Sequence, residues 1–353
     1  MKGWEGPAAV WAPAEATGVG SMPGTSALEA ARIVAGELPG FVHLVELPAR
    51  GPGADLVGRT GGLLAGVEPG LGMETTPGGW RFGGGAGRDM RRAVSFLGED
   101  LDALEETTQG YAGPVKMQVA GPWTLAACVE LPSGERVLKD PGAVRDLSQA
   151  LGEAVREHVA AMRRRVPRAS AFVVQLDEPA LPAVLAGRIG TASGLSSYRA
   201  VEPHAAEQVL ASVLESVVDA GAIPGVHCCA AAAPLDLLAA SGAGVASIDL
   251  LLLDHEGDEA LGRWIESGRG LLAGVVASTG SGPLGDARAS APLRNALHRL
   301  GLEDERWLAQ IAVTPTCGLA GATPSWARTA LAACRSTGRV LRHDEGQEAV
   351  DGD

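Results

Sequence analysis

The stretch AIPGVHCCAAAAPLDLLAASGAGVASIDL, Ala222 to Leu250, decides the fold. It opens on an apolar run, Ala222 to His227, crosses an Ala/Leu-rich segment and closes on a second run, Val245 to Leu250. Runs that stay apolar rather than alternating belong to strands buried on both faces, and a helical stretch between two of them makes the pair parallel. The unit recurs in both directions. Phe41 to Leu47 (FVHLVEL), Val115 to Val119 (VKMQV) and Ala171 to Leu176 (AFVVQL) come before it; Leu271 to Val276 (LLAGVV) and Ile311 to Thr314 (IAVT) come after. A weaker run near Gly79 to Gly83 brings the strands to the eight of a closed α/β barrel, a (β/α)₈ TIM barrel, with a doubly wound open sheet as the alternative.

The segments between the runs, such as Asp146 to Arg165 and Pro203 to Ala220, carry apolar residues at helical spacing and read as an outer ring of helices. Pro52 to Gly87 is Gly-rich without periodicity and reads as a long loop or lid, with Glu130 to Asp140 a second insertion. Residues 1–353 are expected to form one barrel, with an N-terminal extension to about residue 15 and a solvated tail from Asp344 to Asp353. A chain of 353 residues, 46% of them hydrophobic, can fill one such core. The net charge of −13, with no basic cluster longer than Arg163 to Arg165, argues against nucleic acid or an anionic membrane as partner. No apolar run spans a membrane and no export signal opens the chain, so a cytoplasmic location is expected. Five cysteines, two of them adjacent, fit reduced thiols and leave metal binding open.

The chemistry-bearing residues fall at strand ends. His227 and Cys229 close one strand, Asp249 closes the next, and Cys317 follows the last. Barrel strands deliver their carboxyl ends to one face, so these groups can meet despite their separation in sequence. An extended His-x-Cys pair projects both side chains to one side, and sulfur, imidazole and carboxylate are zinc donors. Asp249, Asp254, His255, Cys228 and a substrate sulfur compete for the fourth position. Asp177-Glu178 follows another strand, and one of these acids must face the mouth, where recognition of an ammonium group is its natural role, with a helix N-terminal cap as the alternative. Thr17 to Pro23 offers small residues, backbone N–H groups and the Ser21 hydroxyl to a carboxylate or phosphate. Trp123, in the turn Gly121 to Thr124, either stacks on a flat ligand or fills core.

These motifs have a precedent. GSMPGT (Gly20 to Thr25), AGPWTLA (Ala120 to Ala126), LDEPAL (Leu176 to Leu181), HCC (His227 to Cys229), VASID (Val245 to Asp249) and PTCGL (Pro315 to Leu319) together resemble the C-terminal catalytic domain of cobalamin-independent methionine synthase, over roughly residues 16–340. The resemblance implies a methionine synthase-like barrel, of the type shared with uroporphyrinogen decarboxylase. It implies zinc held by His227, Cys229, Asp249 and Cys317, and homocysteine held by Ser21 at its carboxylate and by Asp177 and Glu46 at its amine. The sequence departs from that pattern in four places. Asp249 stands where the family has Glu, no His lies near Thr279, a Trp is replaced around Cys128, and the family's N-terminal domain has no counterpart. The expected activity is zinc-dependent methyl transfer to a thiol, homocysteine first. Without an acid near Thr279 to protonate a folate nitrogen, methylcobalamin or a corrinoid protein is the expected donor rather than methyltetrahydrofolate. A metal-free decarboxylase-like barrel and a non-catalytic small-molecule-binding barrel are the rival readings.

Overall fold

The protein is described from a computed structural model covering residues 10–83, 85 and 87–348. Eight strands, β1 (Glu15–Ala16), β2 (Val42–His43), β3 (Val115–Ala120), β4 (Phe172–Asp177), β5 (Ile223–Cys228), β6 (Val245–Asp249), β7 (Gly270–Val276) and β8 (Ile311–Pro315), share one parallel sheet. Consecutive strands are neighbours from β2 through to β8, and β8 pairs with β1. The ring closes beyond the short β1: the Met22 amide donates to the Glu46 carbonyl (2.8 Å) and the Glu46 amide to the Gly20 carbonyl (3.2 Å), through a parallel bridge at Ser21 and Glu46. The architecture is a (β/α)₈ TIM barrel, as the apolar runs imply.

The eighth barrel strand is Glu15–Ala16, not the run near Gly79. Gly79–Phe82 pairs antiparallel with Met73–Thr76 and parallel with Val129–Glu130 in a separate three-stranded sheet. Only Trp80 and Phe82 of that strand are buried, which marks a one-faced hairpin strand rather than one covered on both sides. Nor is Pro52 to Gly87 an open loop. It contains the helix Leu56–Val67, capped by Asp55, whose carboxylate accepts from the Gly58 amide (2.9 Å). Glycine at 61 lets that helix lie against the hairpin, since a Cβ there would sit 2.0 Å from the Met73 methyl. Within Glu130 to Asp140 the chain makes a tight turn and the short helix Val137–Lys139.

Long outer helices cover the sheet. Pro141–Arg165 starts on Asp140, which accepts from two amides, and ends on three arginines that suit the negative helix terminus. Its buried Val144, Leu147, Leu151 and Val155 recur every three or four residues, as do Leu210, Val213, Leu214 and Val217 of the neighbouring helix Pro203–Asp219. Each such side chain taken from water stabilises the fold by about 1.5–3 kcal/mol. At the amino ends of the strands Trp11 stacks on Phe41 (5.3 Å between rings) and joins Val173, Ile223, Val245, Leu272 and Ala312 in a separate apolar floor. Part of the expected N-terminal extension is therefore the barrel's plug. Of the expected tail, the final helix Pro324–Glu348 takes in the first part, and residues 349–353 lie outside the described residues.

Candidate metal centre and the carboxylates beside it

At the carboxyl ends of β5 and β8 three donors converge: the ligand atoms of His227, Cys229 and Cys317 all lie within 4.8 Å of one another. The two sulfurs are 3.1 Å apart. Alternation along β5 turns Cys228 the other way, into the core, where burial pushes its thiol up to about 12. The hydrogen bond from the Cys229 thiol holds Cys317 down at about 4 against the opposing effect of burial, and the same bond keeps Cys229 protonated above its usual range. His227 Nδ1 lies 2.9 Å from the hydroxyl of Ser247 on β6, while Nε2 is buried without a hydrogen-bond partner. With the proton on Nδ1, donated to Ser247, the lone pair of Nε2 is free for a metal. Two soft sulfurs and an orphaned imidazole nitrogen fit zinc, and three protein donors with an open fourth position are the pattern of catalytic rather than structural sites.

The other candidate ligands are not part of this trio. Asp249 lies outside the 4.8 Å set. Its carboxylate accepts from the Leu251 amide (2.9 Å) and caps the short turn Leu250–Leu252, although burial raises its pKa and both Cys317 and His227 bear on its charge. Asp254 caps the helix His255–Glu266, and the His255 side chain is exposed.

Ser21 is drawn to the cluster by the close passage of two loops. The Leu319 amide donates to the Ser21 carbonyl (2.8 Å), and a Cβ at Gly318 would fall 2.0 Å from the Ser21 hydroxyl, so a larger residue after Cys317 would displace that hydroxyl. Asp177 ends β4 in register with His227. It is buried, accepts from Gln175 Nε2 (2.7 Å), and burial raises it to about 6. Glu46, also buried, is pushed up to about 7 by burial against the opposing pull of Arg59, and its Oε1 has no hydrogen-bond partner. The adjacent acids Asp177 and Glu178 thus separate in role. Glu178 accepts from the amides of Trp123 (2.8 Å) and Thr124 (2.7 Å) and from the Thr124 hydroxyl (2.7 Å), capping the helix Pro122–Cys128. Trp123 does not join the site: it is buried and its indole donates to the Ala206 carbonyl (3.0 Å), so it fills core.

Several interior groups escaped the sequence reading. Lys116 is fully buried and donates to the Val19 carbonyl (2.6 Å), which also accepts from Gln175 (3.1 Å) on β4; both reach across to the loop that carries Ser21. Burial lowers Lys116 to about 8, with Asp177 and Glu46 opposing, and drives His43 down to about 3. Polar letters at every second place in apolar runs, Lys116 with Gln118 and Gln175 with Asp177, were the available signal for an inward-facing polar layer. Thr279, beyond β7, borders a cavity of about 330 Å³ with Leu251, Val276, Arg288 and Trp326.

The profile described as "Cobalamin-independent synthase, Catalytic domain" matches residues 104–339. That range contains Asp177, His227, Cys229, Asp249 and Cys317. A solved B12-independent methionine synthase from Shewanella sp. W3-18-1, in complex with selenomethionine, superposes with a TM-score of 0.59 at 12% identity, covering 94% of this chain and 99% of that one, which speaks for the fold. An N-acetyl-beta-hexosaminidase from Streptomyces plicatus gives a TM-score of 0.44 at 15% identity over 93% of this chain and 64% of that one, too distant to carry an argument. No curated protein matches the sequence.

Proposed function

Because this chain belongs to the cobalamin-independent synthase catalytic-domain family, whose profile spans about two thirds of it, we propose that it moves a methyl group to the thiol of homocysteine, giving methionine, with zinc held by His227, Cys229 and Cys317. One observation carries this reading: three soft donors within 4.8 Å lie beside Asp177, whose strand position pairs with that of His227. An acceptor with sulfur at one end and an amino-acid group at the other spans that arrangement. The selenomethionine in the Shewanella structure likewise carries a methylated chalcogen at one end and an amino-acid group at the other.

Zinc, when bound, supplies the Lewis acidity that keeps an acceptor thiol, of ordinary pKa about 8.5, in its nucleophilic thiolate form. The residues do the rest. Ser247 orients the His227 ring through its contact with Nδ1. Asp177 and Glu46 receive the substrate ammonium, and the Ser21 hydroxyl receives its carboxylate. Held at that end, the sulfur faces the open mouth. In the transfer a sulfur–carbon bond forms as the carbon–donor bond breaks, and its electron pair leaves with the donor. A donor nitrogen would need a proton as it leaves, and the loop 277–285 holds no His, Asp or Glu to supply one. A methylated corrinoid needs none and is the donor this site suits. Five free thiols suit a reducing cytoplasm. No helix among the described residues is long and apolar enough to cross a membrane.

The test is zinc-loaded protein given homocysteine with methylcobalamin or with methyltetrahydrofolate. Methionine from the corrinoid is the expected product. No methionine from either donor overturns the function, and turnover with the folate alone overturns the choice of donor.

A further inference from the structure

Behind Glu46 lies a chain of buried charges. Arg59, on the helix Leu56–Val67, is buried; its Nη1 donates to Asp100 of the helix Arg88–Thr107, and its Nε lies 3.6 Å from Glu46 Oε1. Asp100 is itself fully buried and accepts from Arg50 Nη2 at 2.7 and 2.8 Å. One carboxylate is therefore shared by two guanidinium groups. Arg50 has a further, exposed partner in Glu99 (3.4 Å), while Arg59 presents Nη1 to Asp100 and Nε to Glu46.

The groups facing Glu46 are Arg59, Asp177, Gln118 and Lys116. Burial and Asp177 favour a neutral Glu46, while the two cations and the Gln118 amide favour the carboxylate. Lys116 gives its short contact to the Val19 carbonyl, which leaves Arg59 as the cation within ion-pair distance. A neutral Glu46 still accepts a hydrogen bond but no longer attracts an ammonium group as a charge does.

We propose that Arg59 is a positioning residue that gives the amine subsite its selectivity for ammonium-bearing acids by holding Glu46 charged. The proposal rests on Glu46 and Asp177 forming that subsite. A merely structural Arg59, clamping two helices through Asp100, would affect all ligands alike. Arg59 acts on the amine alone.

Calorimetry on zinc-loaded protein separates the two, using methionine and the same thioether acid without its amino group. Wild type is expected to prefer methionine. Arg59→Met should lower that preference by about tenfold or more, leaving the amine-free acid unaffected. Arg59→Lys keeps Asp100 partnered and so protects folding, but one ammonium cannot serve Asp100 and Glu46 as a planar fork does; a loss of about threefold is expected. Wild-type preference in either folded variant, or equal weakening of both ligands, overturns the role of Arg59. A wild type that does not distinguish the two ligands overturns the amine subsite itself.

Discussion

The two sides of the barrel mouth hold their groups by different physics. On the side of β5, β6 and β8, His227, Cys229 and Cys317 are gathered by backbone geometry alone, with one hydroxyl orienting the imidazole. On the side of β2, β3 and β4, Glu46, Asp177 and Lys116 are buried charges whose protonation depends on one another and on Arg59. The first side offers lone pairs and is broken by removing an atom. The second offers charge and is altered by anything that moves a proton. An acceptor with a soft end and a zwitterionic end needs both.

The sharpest break is on the soft side. Cys317→Ser replaces a thiolate donor with a hydroxyl that binds zinc poorly, and only two donors remain. Metal content by elemental analysis should fall from one zinc per chain to near none, and methyl transfer should fall by at least about a hundredfold, with circular dichroism unchanged. Full metal retention would show that the cluster is not the metal site. On the charged side, Asp177→Asn keeps shape and removes charge. It should weaken methionine binding by about 2–4 kcal/mol while leaving the amine-free acid alone, as measured by calorimetry. Equal weakening of both would move the amine elsewhere.

A smaller effect tests whether the soft side depends on a partner at all. Ser247→Ala deletes the hydroxyl that holds Nδ1 of His227. Zinc affinity, measured by chelator competition, should fall by about 10–100-fold without loss of stoichiometry at saturating metal. No change would mean that the imidazole is held by packing alone.

The same contrast governs what the sequence made legible. Cysteine and histidine are scarce letters, so His227, Cys229 and Cys317 at strand ends stood out before any contact was known. Seven barrel strands were equally plain, because burial on both faces leaves an unbroken apolar run. β1 is two residues long and closes the ring through a bridge at Ser21, which leaves no periodic trace. Arg59 and Asp100 were hidden for another reason. Gly58, Gly61 and Gly62 dilute the helix pattern around Arg59, and its partner lies 41 residues away. Trp123 could not be decided locally, since the carbonyl that claims its indole belongs to Ala206.

The smallest expected effect is a pH dependence confined to the charged side. Burial raises Glu46 to about 7, from an ordinary 4.5, so the free protein takes up a proton there as the pH falls through neutrality. The charged form is the one that attracts an ammonium group, so a protonated Glu46 must release its proton before the substrate is held in full. Affinity for an amino acid therefore falls as pH drops through about 7 and is flat well above it, the sense opposite to that of a site whose base must be protonated to bind. Between about pH 7 and about pH 6 the charged fraction of such a group falls roughly fivefold, and methionine affinity should follow. The amine-free acid, which makes no use of the Glu46 charge, should not lose affinity over that interval. Calorimetry in buffers of differing ionisation enthalpy reads the step directly, as proton release on methionine binding near pH 7 and none with the other ligand. Proton uptake, or a profile shared by both ligands, would place the titrating group outside the amine subsite and leave Glu46 a structural acid.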